Sequence, residues 1–585
     1  MFDPRYLLLV SLVVPLCGAL LIWLLCRRNE ASARGLALMF ALVTLAAATG
    51  VVYQFPSDAT TSAEQAGYAA TELPWIGPAE SLDIRFSVSV DGLSLWLYGL
   101  SALLALTGVL ISWTTVTQRQ PGFYSLLLLL ECGMLGVFVA RDIMLFYVFF
   151  EFTLIPLFLL IGVWGSDRRR YAAIKFFLFT LAGSMLTFLG LLLIVLKYNT
   201  FSIPELITAA HNNPANLQWQ CAVFPLLFAG FAIKVPLFPL HTWLPLAHVE
   251  APAAGSVLLA GVLLKIGTYG FLRFSLPILP AATAMLMPWL LWISVAGIVY
   301  GALVALVQSD LKRLIAYSSV SHLGFCMLGL FALNRLGVEG GVLQSINHGI
   351  STGGLFAIVG MIYRRYHTRE IRELGGLARK TPWLAAGMIF FTLSSIGLPG
   401  LNGFAGEFLL LCGMFQRAAN TEAIQYSTQF YVIAVLAVSG VVLGAWYMLW
   451  LVQRVFFGPL KEPAHGDEPI EDMGWSEFFS LAPLAVFALW IGLAPGHFLK
   501  PMRLTLDNLT SDAKQQWAAV EEQASAEAAL AGDSQMPAWM KERYARQPSR
   551  PMGLGPIDDT NQQADGRDVP PHDARLVLPP QVKTN

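Results

Sequence analysis

The chain of 585 residues is 56% hydrophobic and only 13% charged, with a formal net charge of −1. Soluble domains carry about 25% charged residues, so a soluble globular protein is excluded. A charge balance this close to zero likewise gives no general attraction to nucleic acid. Repeated runs of roughly 20 apolar residues, without the strict alternation of barrel strands, point to an all-α polytopic membrane protein.

Fourteen spans are expected in chain order, near 6–26, 33–54, 91–116, 121–140, 142–164, 170–197, 219–243, 252–275, 284–307, 312–332, 341–363, 383–412, 428–456 and 474–499. The first run, Tyr6 to Cys26, is longer than a signal-peptide core and no A-x-A site follows it, so it reads as a retained helix. Loops after odd-numbered spans hold most of the basic residues, including Arg27, Arg28, Arg119, Arg168, Arg169, Arg170, Lys312, Arg313, Arg364, Arg365, Arg369 and Lys461. Loops after even-numbered spans hold about one each, such as Arg85, Arg141, Arg335 and Arg417. The bias places the odd loops in the cytoplasm. With an even number of spans, both termini then lie on the outer (periplasmic) side of an inner or cytoplasmic membrane.

The chain divides into an N-terminal part, 1–120, with the first three helices and an acidic outer loop at 55–90; two five-helix blocks, 121–275 and 284–456; a last helix, 474–499; and an extramembrane tail, 500–585. In the tail a helix-prone segment near 512–531 precedes a Pro/Asp/Gln-rich end expected to be disordered. The fourth helix of each block is interrupted. "KVPLFPLHTWLP" carries Pro236, Pro239 and Pro245 in helix seven, and "SSIGLPGLNGFAGEF" carries Gly397, Pro399, Gly400 and Gly403 in helix twelve. Five is odd, so consecutive blocks start from opposite faces. Two inverted five-helix repeats with broken helices 7 and 12 mark a transport site near mid-membrane.

Ionisable groups at membrane depth are costly and count as functional candidates. They are Glu151, Lys234, Lys265, His322, His348 and Glu407, with Glu131 and His241 as additional candidates. Glu131 equally reads as a structural partner, and His241 as a histidine bonded to a backbone carbonyl. The set suits proton movement. A desolvated lysine releases its proton when a carboxylate partner moves away and reloads when it returns. Histidines relay between lysines, and broken helices free carbonyls that hold water. The six cysteines are scattered singly, with no C-x-x-C and no haem, iron–sulfur or zinc spacing, and read as small buried hydrophobes. No P-loop or G-x-G-x-x-G follows a strand pattern. No metal or cofactor site is expected, so any redox chemistry belongs to other subunits.

The stretches "FFEFTLIPLFLLIGVWG", "FAIKVPLFPLHTWLPLAHVEAP", "VLLKIGTYG", "SDLKRLIAYSSVSHLGF", "NHGISTGGLF" and "GLPGLNGFAGEF" closely resemble the antiporter-like membrane subunits of respiratory complex I, the NADH:quinone oxidoreductase. The resemblance covers about residues 90–460. Within that family the chain L and chain N types typically carry a lysine in the broken twelfth helix and the chain M type (mitochondrial chain 4) a glutamate. Glu407 therefore implies chain M, although the tail beyond Pro501 departs from that pattern. The resemblance implies that Glu151 pairs with and tunes Lys234, that Lys265, His322 and His348 form a hydrated central axis, and that Glu407 is the terminal group near the outer exit. It implies a translocase subunit that moves protons and water in contact with lipid. NADH, FMN, iron–sulfur clusters and quinone would lie in partner subunits, and homologous antiporter-like chains would be neighbours. Competing readings are a subunit of a multi-subunit Na⁺/H⁺ antiporter, the membrane arm of a hydrogenase or other dehydrogenase, and a purely structural subunit.

Overall fold

The computed structural model describes residues 2–26, 30–56, 67–77, 83–463 and 470–530. The chain divides into a compact unit, Met1–Glu527, and a second, Ala528–Asn585; only the first is considered below. Arg27 and Arg28, and the tail expected to be disordered beyond 530, lie outside the described residues.

Eighteen helices organise the compact unit: α1 Pro4–Leu25, α2 Glu30–Gln54, α3 Ser94–Thr115, α4 Gln120–Val139, α5 Ile143–Trp164, α6 Arg169–Tyr198, α7 Ile203–Asn212, α8 Leu217–Lys234, α9 Leu244–Glu250, α10 Ala253–Ile278, α11 Pro280–Leu306, α12 Leu311–Phe331, α13 Arg335–Tyr366, α14 Pro382–Ser395, α15 Asn402–Asn420, α16 Ile424–Phe456, α17 Trp475–Leu493 and α18 Arg503–Leu530. Thirteen helices among the described residues are long and apolar enough to cross a membrane, and they fall on thirteen of the fourteen expected spans. The remaining one, near 383–412, is present as two shorter pieces, α14 and α15.

Polar residues set the helix ends. The side chains of Asp142, Asn216, Asp310 and Asn334 each accept from a backbone N–H of the following first turn, at 2.8–2.9 Å. These bonds satisfy donors that a helix start leaves unpaired. Burial then sorts the spans. The most apolar window of α10 is entirely buried and those of α12 and α13 are 94% buried, whereas that of α1 is 39% buried. The outward faces carry large apolar residues such as Leu178, Leu189 and Leu196 on α6 and Val435, Val442 and Trp446 on α16. The helices that carry Lys265, His322 and His348 are therefore the innermost ones.

Three points go beyond or correct the sequence reading. Within the outer loop at 55–90, Tyr68–Ile76 (β1) and Ile84–Val90 (β2) form an antiparallel hairpin running from the Tyr68↔Val90 pair to the Ile76↔Ile84 pair. Ile84, Phe86, Val88 and Val90 alternate with polar residues, a period of two that makes one strand face apolar. Lys312, counted above as a loop cation, is buried in the first turn of α12, where its ammonium donates to the Ala251 carbonyl. Among the cysteines, Cys17 is exposed on the outside of α1 rather than buried.

Each end of the bundle is tied by polar contacts. At one end the basic loops pair with one another: Asp310 bridges Glu370, Gly375 bridges Lys461, and Arg365 clamps Glu477 at the start of α17 at 2.6 Å. At the other end the Arg141 N–H donates to the Ser87 carbonyl, and Asp91, just past the hairpin, holds Arg273 of α10 at 2.6 Å. Helix α18 lies across this end. Trp517 is buried against Tyr426 and Phe430, Asp512 meets His211, and Arg503 meets Glu339.

Asp91 and Arg273 are both buried, and removing one partner of a buried pair leaves an uncompensated charge, worth about 3–5 kcal/mol. Asp91→Asn is expected to lower the thermal stability of the assembled protein by that order. A variant melting within a degree of wild type would show that the pair holds nothing.

Candidate functional site

The two interruptions border the protein interior, with Pro239 of the first and Leu398 and Pro399 of the second exposed on the outer surface of the chain. Helix α8 ends at Lys234, and residues 235–243 run without helix until α9 begins at Leu244. Pro236 and Pro239 fall in this gap and Pro245 in the first turn of α9. The gap presses on α10: a side-chain carbon on Gly267 would stand 2.8 Å from the Val235 backbone nitrogen. The second gap, residues 396–401, separates α14 from α15. Gly397 and Gly400 take positive φ (73° and 92°), which turns the chain sharply, Pro399 lies between them, and Gly403 is in the first turn of α15. In hydrocarbon the exposed carbonyls and N–H groups of such gaps need partners, and here the protein supplies them. Trp243 Nε1 donates to the Ile233 carbonyl at 2.9 Å and Asn347 Nδ2 to the Asn402 carbonyl at 2.7 Å.

Buried titratable groups lie at the first gap and in a line that ends at the second. Lys234 is buried at the end of α8, its ammonium 4.6 Å from the centre of the Phe150 ring. Lys265 follows a wide π-turn in α10 (Leu259–Leu263), the kind of irregularity that frequently marks functional sites. Its ammonium folds back on the Ala260 carbonyl and lies 2.6 Å from His348 Nδ1. The His348 and His322 rings are 5.7 Å apart centre to centre. His322 Nε2 is 3.2 Å from the Ser395 hydroxyl, at the end of α14, and Nδ1 is 3.4 Å from Glu407 Oε1. Gln344 Nε2 donates to that same Oε1 at 3.0 Å, and Glu407 Oε2 rests against Gly397 in the gap.

The structure thus brings Lys265, His348, His322 and Glu407 into one chain. Glu151 and Lys234 are neighbours without a direct ion pair: Phe150 lies under the ammonium, and Glu151 Oε1 is buried with no hydrogen-bond partner. His241 sits within the first gap among Phe238, Tyr300 and Tyr317, and its Nδ1 has no partner. Glu131 stands apart on α4. It is fully buried, both oxygens are unpartnered, and its polar surroundings are Tyr98 and Cys132 rather than the lysine–histidine line.

Sequence reasoning missed three contributors. His248, in α9, is completely buried, stacks parallel on Phe356 at 4.5 Å, and leaves both ring nitrogens unpartnered. Its nearest cationic neighbours are Lys312 and Lys265. It occurs in the proline-rich stretch already singled out, "WLPLAHVEAP", and an ionisable residue in an apolar run was the available cue. Lys312 was masked by its place beside true loop cations. Gln344 is uncharged, and nothing in its spacing announces a contact with Glu407.

Residues 140–445 match the family described as "NADH:quinone oxidoreductase/Mrp antiporter, TM". The chain belongs to this family. It is 44% identical to NADH-quinone oxidoreductase subunit M of Rhodobacter capsulatus over 423 residues, 71% of this chain and 80% of the relative. It is 38% identical to NADH-ubiquinone oxidoreductase chain 4 of Chondrus crispus over 510 residues, 87% and 98% of the two chains. Among solved structures it is similar to a chain of respiratory complex I from Thermus thermophilus with bound NADH, with a TM-score of 0.74 and 30% identity across 87% of this chain and 99% of that one. As a member of the NADH:quinone oxidoreductase/Mrp antiporter family, it is a multi-pass membrane protein of the complex I membrane-arm type.

Gly397 and Gly400 separate two effects. Alanine at either adopts a strained positive φ, costing about 1–3 kcal/mol. Only at Gly397 would the added carbon meet Glu407 Oε2, at 2.7 Å; at Gly400 nothing lies within 4 Å. Gly397→Ala is therefore expected to depress activity per assembled protein well below Gly400→Ala, with similar losses of stability. Equal activities would show that the Gly397 contact does not matter to the carboxylate.

Proposed function

We propose that this chain is the proton-translocating subunit of the M or chain 4 type in the membrane arm of an NADH:quinone oxidoreductase. The observation that carries the reading is the line Lys265–His348–His322–Glu407, buried between the innermost helices and ending at a broken helix. A desolvated lysine can release and retake a proton near neutral pH, and an imidazole can pass one between its two nitrogens. The gap in α8–α9 lets water reach Lys234, and the carboxylate of Glu151 adjusts its proton affinity across Phe150. From Lys265 the proton passes to His348 Nδ1, crosses to His322, and reaches Glu407, which releases it at the α14–α15 gap. The blocks 121–275 and 284–456 act as inverted repeats around this line.

The basic loops lie in the cytoplasm, and both termini and α18 on the periplasmic side of the inner membrane. The redox groups, namely NADH, FMN, iron–sulfur clusters and quinone, belong to partner subunits, and no redox site lies in this chain. The apolar outer faces of α6 and α16 meet lipid or neighbouring antiporter-like chains. The Na⁺/H⁺ antiporter reading shares the family, but the extensive likeness to subunit M and chain 4 favours the dehydrogenase.

Pumping and quinone reduction, both normalised to assembled complex, test these roles. A proton-transfer group contributes about 10²–10⁴-fold to its step, so Lys234→Ala and Glu407→Gln are each expected to cut pumping at least tenfold. Glu151→Gln keeps its shape, should assemble normally and should lose less. Glu407→Lys retains a titratable group and is expected to fall between Glu407→Gln and wild type. Wild-type pumping by assembled Glu407→Gln would place the exit elsewhere.

A further inference from the structure

The terminal carboxylate does not choose its own position. Glu407 lies on α15, which is separated from α14 by six non-helical residues, 396–401. The far end of α15 is tied by Asn334 Nδ2 to the Gly413 carbonyl and by Arg417 to the Ala332 and Leu333 carbonyls, each at 2.6 Å. Its N-terminal end, which carries Glu407, is held across the gap by a set of uncharged side chains. Asn402, the first residue of α15, is fully buried and uses its whole amide. Its Oδ1 accepts from the Ser394 hydroxyl at 2.6 Å, across the gap, and its Nδ2 donates to the Asn347 carbonyl at 3.2 Å and to Ser351 Oγ at 3.3 Å. Asn347 returns the bond, Nδ2 to the Asn402 carbonyl at 2.7 Å, and the Ser351 and Ser394 hydroxyls meet at 2.6 Å. Asn347 Nδ2 also reaches Gln344 Oε1 at 3.3 Å, and Gln344 Nε2 donates to Glu407 Oε1. Gln344 itself is pressed onto Gly406, where a side-chain carbon would stand 2.4 Å from its Oε1. The network thus ends on the oxygen that faces His322.

We propose that Asn402 and Gln344 are positioning residues for proton transfer. Asn402 latches the N-terminal end of α15 to α13, and Gln344 holds the Glu407 carboxylate beside His322. His322, Gln344, Asn347, Ser351 and Ser394 also line a polar cavity of only about 10 Å³, room for no more than a single water. A slip of α15 by an ångström would open the 3.4 Å step between His322 and Glu407 beyond transfer reach. A buried amide network of this kind is expensive if half satisfied; here the side-chain amide of Asn402 is fully used, whereas Asn347 Oδ1 has no partner.

This inference rests on the proton-translocating reading, and the experiment separates the two. The variants are Gln344→Met, which keeps the volume and loses the donor, Asn402→Ala, and Glu407→Gln as reference, each measured as pumping per assembled complex over pH. A hydrogen bond to a charged group shifts proton affinity by roughly tenfold or more, so Gln344→Met is expected to displace the pH profile by about one unit. It should also alter the infrared carbonyl stretch assigned to protonated Glu407. Asn402→Ala is expected to lower pumping at least fivefold at every pH. In the Glu407→Gln background neither change should have a further effect. If Glu407→Gln stops pumping while Gln344→Met and Asn402→Ala keep the wild-type rate, pH profile and infrared band, the positioning proposal falls and the translocation reading stands. If Glu407→Gln pumps normally, both fall together.

Discussion

Hydrocarbon solvates neither a backbone carbonyl nor a charge, and the rest of the molecule follows from that constraint. A helix can be broken at membrane depth only where protein or enclosed water answers the freed groups. Each break accordingly has one side against the interior, the first against α10 at Gly267 and the second against α13 at Asn347, although Pro239, Leu398 and Pro399 reach the surface of the chain. The continuous, outward helices such as α1 and α16 carry the apolar surface. The interrupted ones are held where their polar backbone is useful. Packing, in this sense, decides where chemistry can happen.

The same constraint separates two kinds of buried charge. Two buried cations sit against a carboxylate: Arg273 against Asp91 at 2.6 Å and Arg365 against Glu477 at 2.6 Å, both near the ends of the bundle. Lys234 and Lys265 are held differently. One lies over an aromatic ring and the other between a carbonyl and an imidazole nitrogen. Neutral partners of this kind stabilise an ammonium less than a counter-ion does. That difference in partners fits the carrier role proposed for the two lysines.

How much of this was legible in the sequence follows from which signals are local. Span number and interruptions were readable because hydropathy and proline or glycine placement act within a few residues. The ionisable candidates were readable because charge in an apolar run is rare. Three things were not. The β1–β2 hairpin hides in a loop because strand alternation over seven residues (Ile84–Val90) is weak beside twenty-residue apolar runs. Lys312 looks like its loop neighbours, and only the fold shows that its ammonium is turned inward onto Ala251. Gln344 and Asn402 are 58 residues apart in sequence and uncharged. Their role depends on α13 and α15 packing backbone to backbone, which glycine permits at Gly340, where an added carbon would stand 2.4 Å from Leu410 N.

The line of titratable groups is not uniformly tight, and that unevenness bears on coupling. Lys265 and His348 are within hydrogen-bond distance, whereas the two histidine rings stand 5.7 Å apart and the His322–Glu407 contact, at 3.4 Å, lacks hydrogen-bond alignment. A wire closed at every step would conduct in both directions and dissipate the gradient it builds. A chain with two loose joints conducts only when something closes them. The element able to do so is beside the second joint: the α14–α15 gap, with Gly397 against the carboxylate and Ser395 against His322 Nε2. Small rotations of a latched, discontinuous helix can change both contacts together, whereas a continuous helix would have to move as a whole. Under the proposed function, the break held by neutral amides is the place to seek the two-state element that energetic coupling between distant sites requires.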